Sequence, residues 1–418
     1  MSCPVSGAGA QNTAGIDFDI YDHAVQDAPY PVYARLREDA PLFHNAEHDY
    51  YVLSRHADVH WAFRSDEVFS NRMGVSLDAS AWNEHAHKVM SFLAMDPPEQ
   101  VRLRRLVSKG FTPKRVRELE PLISRLSEHY LDRALAGAGS GEWVSLDWIS
   151  DFAGRLPMDV ISQMMGVPEA DRDHVRHLSD QLVLRQDGLR DVPEAGMLAA
   201  LELHAYYARM LADRRGEATD DLTTALFLAT DEGQRMSDEE ITAFLFLMVV
   251  AGNETTTKLL GNAVHHLARN PEQAAAVLAD PTGPLVDRWV EETLRMDTSS
   301  QFLGRLVTEE FTRGDVTCPV GSKLMINLGA ANHDEDVFTD PETFDVHRDE
   351  AELKQIVSFG GGRHFCLGAN LARLEAQVAL RALVARVSSI EVDEAASERF
   401  YSANVRGFAH LPLTVEVR

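Results

Sequence analysis

Hydrophobic and polar positions along this chain follow two periods, and the change from one to the other marks out its parts. Between Pro31 and about Ser70 the runs are short: PVYARLRED has helical spacing, DYYVLS reads as part of an aromatic strand pair, and another helix begins near Arg55. From Met73 to Met95 the text is rich in Met, Ser, Ala, Asn and His and has no period. At about 23 residues it is long for a passive connection, and such loops are usually functional or disordered. From Pro97 to Asp297 nearly everything has helical spacing, broken at Pro113, Gly137 to Gly141, Pro168, Pro193 and Pro271. Beyond Asp297 short strands return (FLGRLV, KLMINLG). Turns and prolines follow, then a strong helix from about Gly368 to Val387 and a strand-like tail, LPLTVEV. The pattern predicts an α+β fold, mostly helical, with strands at both ends of the sequence.

One helix stands apart. Ser237 followed three residues later by Glu240 is a capping-box signature, and no proline then occurs until Pro271, which predicts a helix of roughly 33 residues. At 1.5 Å per residue it is about 50 Å long, enough to cross a domain. Its first half is apolar on every side, as in a buried helix. Ala251-Gly252-Asn253-Glu254-Thr255-Thr256 interrupts that apolar stretch. Ala251, Gly252 and Thr255 fall at i, i+1 and i+4, so two small side chains and a hydroxyl share one face and leave a shallow groove. Mid-helix glycine costs about 1 kcal/mol against alanine and a buried carboxylate costs more, so the cluster needs a reason. A purely local one is that Thr255 bonds back to the Ala251 carbonyl while Glu254 reaches a cation elsewhere.

The whole chain has 418 residues, 45% hydrophobic and 25% charged, as expected of a globular protein. Its formal charge of −25 disfavours nucleic acid and anionic membranes as partners. The longest strongly apolar stretch, AFLFLMVVAG, is about half the length that crosses a bilayer, so no membrane anchor is expected. Residues 1–15 read as a loose tail without signal-peptide character, and 16–418 as a single domain. Three scattered cysteines, Cys3, Cys318 and Cys366, are too few for a disulfide framework or a cysteine-based zinc site and fit a reducing cytoplasm.

The most specific text is Phe359 to Gly368, FGGGRHFCLG. Its glycines allow a tight turn and close approach to something large and flat. Cys366 precedes the last strong helix, whose N-terminal amides favour a thiolate, which is a metal ligand. Without further context, a glycine turn with an inert cysteine is the competing reading. The string, however, resembles the haem-ligand loop of the cytochrome P450 superfamily in Phe359, Gly362, His364, Cys366 and Gly368.

This resemblance implies haem b, with Cys366 as axial iron ligand, His364 at a propionate, and Phe359 and Gly360 against the cofactor. It also implies that Ala251 and Gly252 make room for O2 on iron, while Glu254 and Thr255 form the acid–alcohol pair that delivers protons. Arg104 in DPPEQVRLRR and Arg305 in FLGRLV match the family's propionate-binding cations; Gln100 stands where His is common, and His333 replaces an arginine in ANHD. The family's Glu-x-x-Arg pattern occurs five times, and Glu292/Arg295 alone lies in helical text between the long helix and the cysteine. Arg348 is the matching third member, and the three are read as structural support for the haem loop. Leu247, Val250, Ala251, Gln301, Phe302 and Leu303 are expected to face substrate, together with the Met73 to Met95 loop.

Seven basic residues and no acid lie between Val101 and Arg117. Arg105, Lys109, Lys114 and Arg115 there form either a solvated helix face or a docking patch for an acidic electron-transfer protein. The implied enzyme is a soluble, monomeric, bacterial-type monooxygenase. It inserts one atom of O2 into a lipophilic steroid, fatty acid, terpenoid or polyketide, with NAD(P)H electrons arriving through ferredoxin reductase and ferredoxin. A peroxide-driven peroxygenase and a haem-binding sensor or scaffold are the alternatives, both disfavoured by the intact Glu254/Thr255 pair.

Overall fold

The computed structural model describes residues 12–183, 185–186, 189–215 and 219–418. Cys3 and residues 1–11 of the expected tail lie outside the described residues. The remainder of that tail is not loose. Asn12 Oδ1 accepts from the Ala46 amide at 3.0 Å and Thr13 Oγ1 from the His44 amide at 2.9 Å, which ties the segment to the first hairpin.

A five-stranded sheet joins the two ends of the sequence. Its order is Leu42–Asn45, Tyr50–Leu53, Lys323–Asn327, Phe302–Val307 and Phe69–Ser70. The second and third strands run parallel, pairing Tyr50 with Lys323 and Leu53 with Ile326, whereas the other neighbours are antiparallel. FLGRLV and KLMINLG therefore sit beside DYYVLS, and the helix His56–Ala62 leaves the sheet toward the cysteine loop.

The helical body contains one strand that the spacing did not predict. Trp143–Asp147 pairs antiparallel with Pro412–Val417, which also pairs with Val387–Val392. Five residues after a glycine turn are too few to separate a strand from helical text, and the partner strand is the last in the chain.

The capping box forms as expected. Ser237 Oγ accepts from the Glu240 amide at 3.2 Å, Glu240 Oε2 accepts from the Ser237 amide at 2.9 Å, and the helix runs Asp238–Arg269, 32 residues. Ile241 to Val249 are all buried. The helix packs against Leu156–Met165, Glu194–Asp213, Leu285–Met296 and Ala369–Arg386, and a short helix inside the Met73 to Met95 loop, His87–Met90, also lies on it.

Of the five Glu-x-x-Arg sequences, Glu292/Arg295 bonds to itself, with Arg295 Nε to Glu292 Oε2 at 2.9 Å and Nη2 to Oε1 at 2.8 Å. Arg102 instead pairs with Glu240 and Arg313 with Asp58. Arg348 Nε completes the buried triad at 3.1 and 3.0 Å from the two Glu292 oxygens. Arg295 also donates to the carbonyls of Asn332, Pro341 and Thr343, which staples the irregular chain ahead of the cysteine loop to helix Leu285–Met296. His333 belongs to the same region: its Nε2 lies 2.9 Å from the Met296 carbonyl and its ring stacks on Tyr30.

Removing a shared buried carboxylate strands two guanidinium charges. Glu292→Gln should lower the unfolding free energy by about 3–5 kcal/mol in a urea titration. A loss under about 1 kcal/mol would mean that the triad is dispensable to stability.

Candidate functional site

The cysteine loop is shaped by its glycines. Gly360 and Gly362 have φ of +68° and +60°, and a Cβ on Gly362 would lie 1.9 Å from the Phe63 carbonyl oxygen. Only glycine lets the loop rest on the chain that ends helix His56–Ala62. The Cys366 amide donates to the Phe359 carbonyl at 2.9 Å, and the sulfur then accepts from the amides of Gly368 and Ala369 at the start of helix Ala369–Arg386. Burial pushes the thiol up, while those two amides, Arg104 and Arg373 pull it down. Arg373 also lies over the Phe359 ring, 4.5 Å from its centroid. Although closely surrounded by protein, Cys366 retains accessible surface, so that surface faces an interior space.

Beside the cysteine is a cluster of cations short of an anion. Arg305 is 3% exposed, and its Nη1 reaches only the carbonyl of its neighbour Gly304, at 2.8 Å. Burial presses its pKa down to about 10 against the fields of Asp96 and Asp66. The His364 ring is held neutral, its pKa lowered to about 3 by burial and then by Arg305, Arg104 and Arg363, and its buried Nδ1 has no partner. Arg104 Nη2 donates to the Phe365 carbonyl at 2.6 Å, and Gln100 Nε2 to the Arg363 carbonyl at 2.9 Å. Gln100 thus braces the cysteine loop. A guanidinium without an acid at bonding distance and an orphaned imidazole nitrogen together suit a carboxylate-bearing group, and the haem propionates fit that description.

On the long helix, Ala251 is exposed and Val250, Gly252 and Thr255 are partly exposed, although most of the helix is buried. The small-residue face is therefore a local opening in a packed element. Thr255 Oγ1 donates to the Ala251 carbonyl at 2.9 Å, which is the local back-bond weighed from the sequence. Glu254 is 7% exposed, and the cation it reaches is Lys258, one turn on, with Nζ 2.5 Å from Oε1. Lys258 is itself held by the Phe408 carbonyl at 2.9 Å and lies over the Phe400 ring at 4.1 Å. The sequence analysis missed Lys258, although its i+4 spacing from Glu254 was available as a signal.

Two expected substrate residues point elsewhere. Strand alternation puts Leu303 and Arg305 on one face and Phe302 on the other, where it packs on Phe18 and Tyr33. Gln301 is also turned into the N-terminal core: Tyr33 Oη donates to its Oε1 at 3.0 Å and its Nε2 donates to the Thr298 carbonyl at 2.7 Å. Leu303 lies close to Gly360 of the cysteine loop, Leu247 is buried in the helix, and Val250 and Ala251 keep accessible surface. In the basic segment, Arg105, Lys109, Lys114 and Arg115 are all exposed. Arg105 is 3.7 Å from Asp231, Lys109 bonds the Thr230 carbonyl at 2.7 Å, and Lys114 faces Glu118 at 3.9 Å.

The Mycobacterium tuberculosis protein bearing the name cytochrome P450 123 is 51% identical over 400 residues, covering 96% of this chain and 97% of the relative. The chain belongs to the cytochrome P450 family. The family's own profile, Cytochrome P450, matches residues 199–398. A vitamin D(3) 25-hydroxylase of Pseudonocardia autotrophica is 36% identical over 98% of this chain and 99% of its own length. The structure of cytochrome P450 CYP109Q5 from Chondromyces apiculatus superposes with a TM-score of 0.84 at 33% identity, covering 96% of this chain and 98% of that one. This P450 fold binds haem b through a cysteine thiolate, and the family's hydroxylases identify the enzyme as a monooxygenase. No helix among the described residues is long and apolar enough to cross a membrane.

Gly362→Ala should displace the loop from Phe63 and yield protein with a reduced ratio of Soret to protein absorbance. A normal haem content would show that the contact does not limit haem binding. Cys366→Ser should bind carbon monoxide in the reduced state without the thiolate signature, and retention of that signature would exclude Cys366 as the ligand.

Proposed function

We propose that this P450 inserts one atom of O2 into a free lipophilic small molecule, using NAD(P)H electrons delivered through a ferredoxin reductase and a ferredoxin. The observation that carries the reading is the pairing of an amide-supported Cys366 with an opened stripe on an otherwise packed helix. Haem held by Cys366 supplies binding and reductive activation of O2.

The rest falls to the chain. Arg305, Arg104 and His364 would hold the propionates, Ala251 keeps the accessible face of the long helix small where a larger side chain would fill it, and Gly252 lets Ile161 pack close to that helix. Thr255 has its hydroxyl hydrogen committed to the Ala251 carbonyl, so its oxygen lone pairs are free to hold a water in place. Glu254 supplies the exchangeable proton for that water. Leu247, Val250, Ala251 and Leu303 offer no charge to a substrate, which fits a lipophilic ligand. The relatedness to a vitamin D(3) hydroxylase puts steroid-like compounds first among candidates, ahead of fatty acids, terpenoids and polyketides.

An optical titration of the ferric protein with these classes should give a low-to-high-spin Soret shift for the steroid-like members. Absence of a shift with every free compound, in protein that shows the thiolate signature, would redirect the reading to a carrier-bound substrate. With a ligand in hand, Thr255→Ala should lower product formed per NAD(P)H at least about tenfold while electron consumption continues. Equal coupling in mutant and parent would remove Thr255 from proton delivery. Arg105→Glu should slow reduction by ferredoxin and flatten its salt dependence, and an unchanged rate and slope would leave the basic segment a solvated face.

A further inference from the structure

Helix Glu194–Asp213 is apolar on two opposite sides, and only one of them is covered. The inner side, which includes Ala199, Leu203, Tyr207 and Met210, is buried, and the helix packs against the long helix and helix Arg172–Val183. On the outer side Leu198 is 59% exposed, Leu201 70% and Met197 43%, and Ala205, Ala208 and Ala212 are exposed with them. Leu198, Leu201, Ala205, Ala208 and Ala212 follow one another at steps of three, four, three and four residues. Apolar positions repeating every 3.5 residues are the seam along which one helix packs on another, whereas a helix face that stays in water carries polar and charged residues.

We propose that this face is the interface of a homodimer, in which the helix lies antiparallel against its own copy across a two-fold axis. Charge is the first argument for a second copy. Between Met197 and Ala212 the charged residues are Glu202 and Arg209, of opposite sign, in a chain whose formal charge is −25. They stand one heptad apart and flank the same edge of the seam. Glu202 has the exposed His174 ring beside it at 3.1 Å, and Arg209 has no ion-pair partner among the described residues. In an antiparallel pair with Leu201 opposite Ala212, Glu202 lies beside Arg209 of the second copy, and symmetry makes that pair twice.

Side-chain size selects the same arrangement. The leucines occupy the first half of the seam and the alanines the second. In the antiparallel register Ala205 meets Ala208 at the axis, which lets the helices approach closely, and each Leu201 covers an Ala212. A parallel pair would set leucine on leucine at one end and alanine on alanine at the other, and the helices would splay. A lipid surface fits less well, because helices that lie on membranes border their apolar face with Lys and Arg, and here Arg209 stands alone in an acidic protein. The dimer replaces the monomer expected from the family resemblance. A seam about 30 Å long is smaller than a standard interface of about 1,600 Å2, so the association is weak, with a dissociation constant in about the micromolar range.

Sedimentation of the holoenzyme from about 1 to about 100 μM, in about 0.15 M salt to screen the repulsion between two acidic copies, should show a reversible monomer–dimer equilibrium. Leu201→Glu should raise the dissociation constant at least about tenfold, with the parent's Soret spectrum and melting temperature because that side chain is 70% exposed. Arg209→Glu and Glu202→Arg should each weaken association about tenfold by setting like charges together, and the protein carrying both changes should associate as the parent does. The two single changes move the net charge in opposite directions, so a loss in both cannot come from overall repulsion. A parent that stays monomeric at about 100 μM, a dimer indifferent to Leu201→Glu, or a double variant no better than the single ones overturns the proposal. Binding of a monomeric holoenzyme to phosphatidylcholine vesicles that is lost in Leu201→Glu would also overturn it and give the face to a lipid surface.

Discussion

A cysteine sulfur and several guanidiniums are closely surrounded by protein in this fold, and the cost of desolvating them sets the rest of the architecture. Burial raises the Cys366 thiol, lowers Arg305 and keeps His364 neutral, so each is in an environment that opposes its own charge. Such an arrangement is stable only when a partner of opposite charge completes it: a metal cation for the sulfur, carboxylates for the cations. The two helix amides on the sulfur and the bonds from Arg104 and Gln100 to loop carbonyls pre-position those groups before any partner arrives.

That loop cannot hold its own shape, and the surrounding structure does so at two points. Below it, Gly362 lies on the Phe63 carbonyl at a separation no side chain allows. Upstream, Glu292 binds two arginines and fixes the irregular chain that leads to the cysteine. The long helix performs the complementary task. Its capped, uninterrupted length carries a small-residue stripe through a packed core, and one turn away the Glu254–Lys258 pair keeps a carboxylate inside that core. Opening and charge therefore sit on adjacent faces of one rigid element, which keeps them in register with each other.

Much of this was legible along the chain because it depends on near neighbours. The capping box, the helix length, the glycine-rich cysteine string and the Glu292/Arg295 spacing are all short-range patterns, and each forms where its text stands. The failures share a cause. Strand Trp143–Asp147 exists because the last strand of the chain lies beside it, Gln301 is spent on Tyr33, and Phe302 turns away because the strand alternates from Arg305. None of these facts is contained within a window of neighbouring residues.

The sequence by itself determined the family chemistry: a cysteine on a glycine loop at a helix start, and an alcohol beside an acid on a helix with room next to it. Both motifs are local, since backbone conformation and i to i+4 geometry follow from adjacent residue types. Tertiary structure alone decided which charges are buried and what they meet. Glu254 meets Lys258 one turn along its own helix, but it is the C-terminal loop, through the Phe408 carbonyl and the Phe400 ring, that closes over Lys258 and holds the pair inside the core. The free energy of a charge depends on every group that displaces water around it, and packing brings those groups together from far apart in the chain.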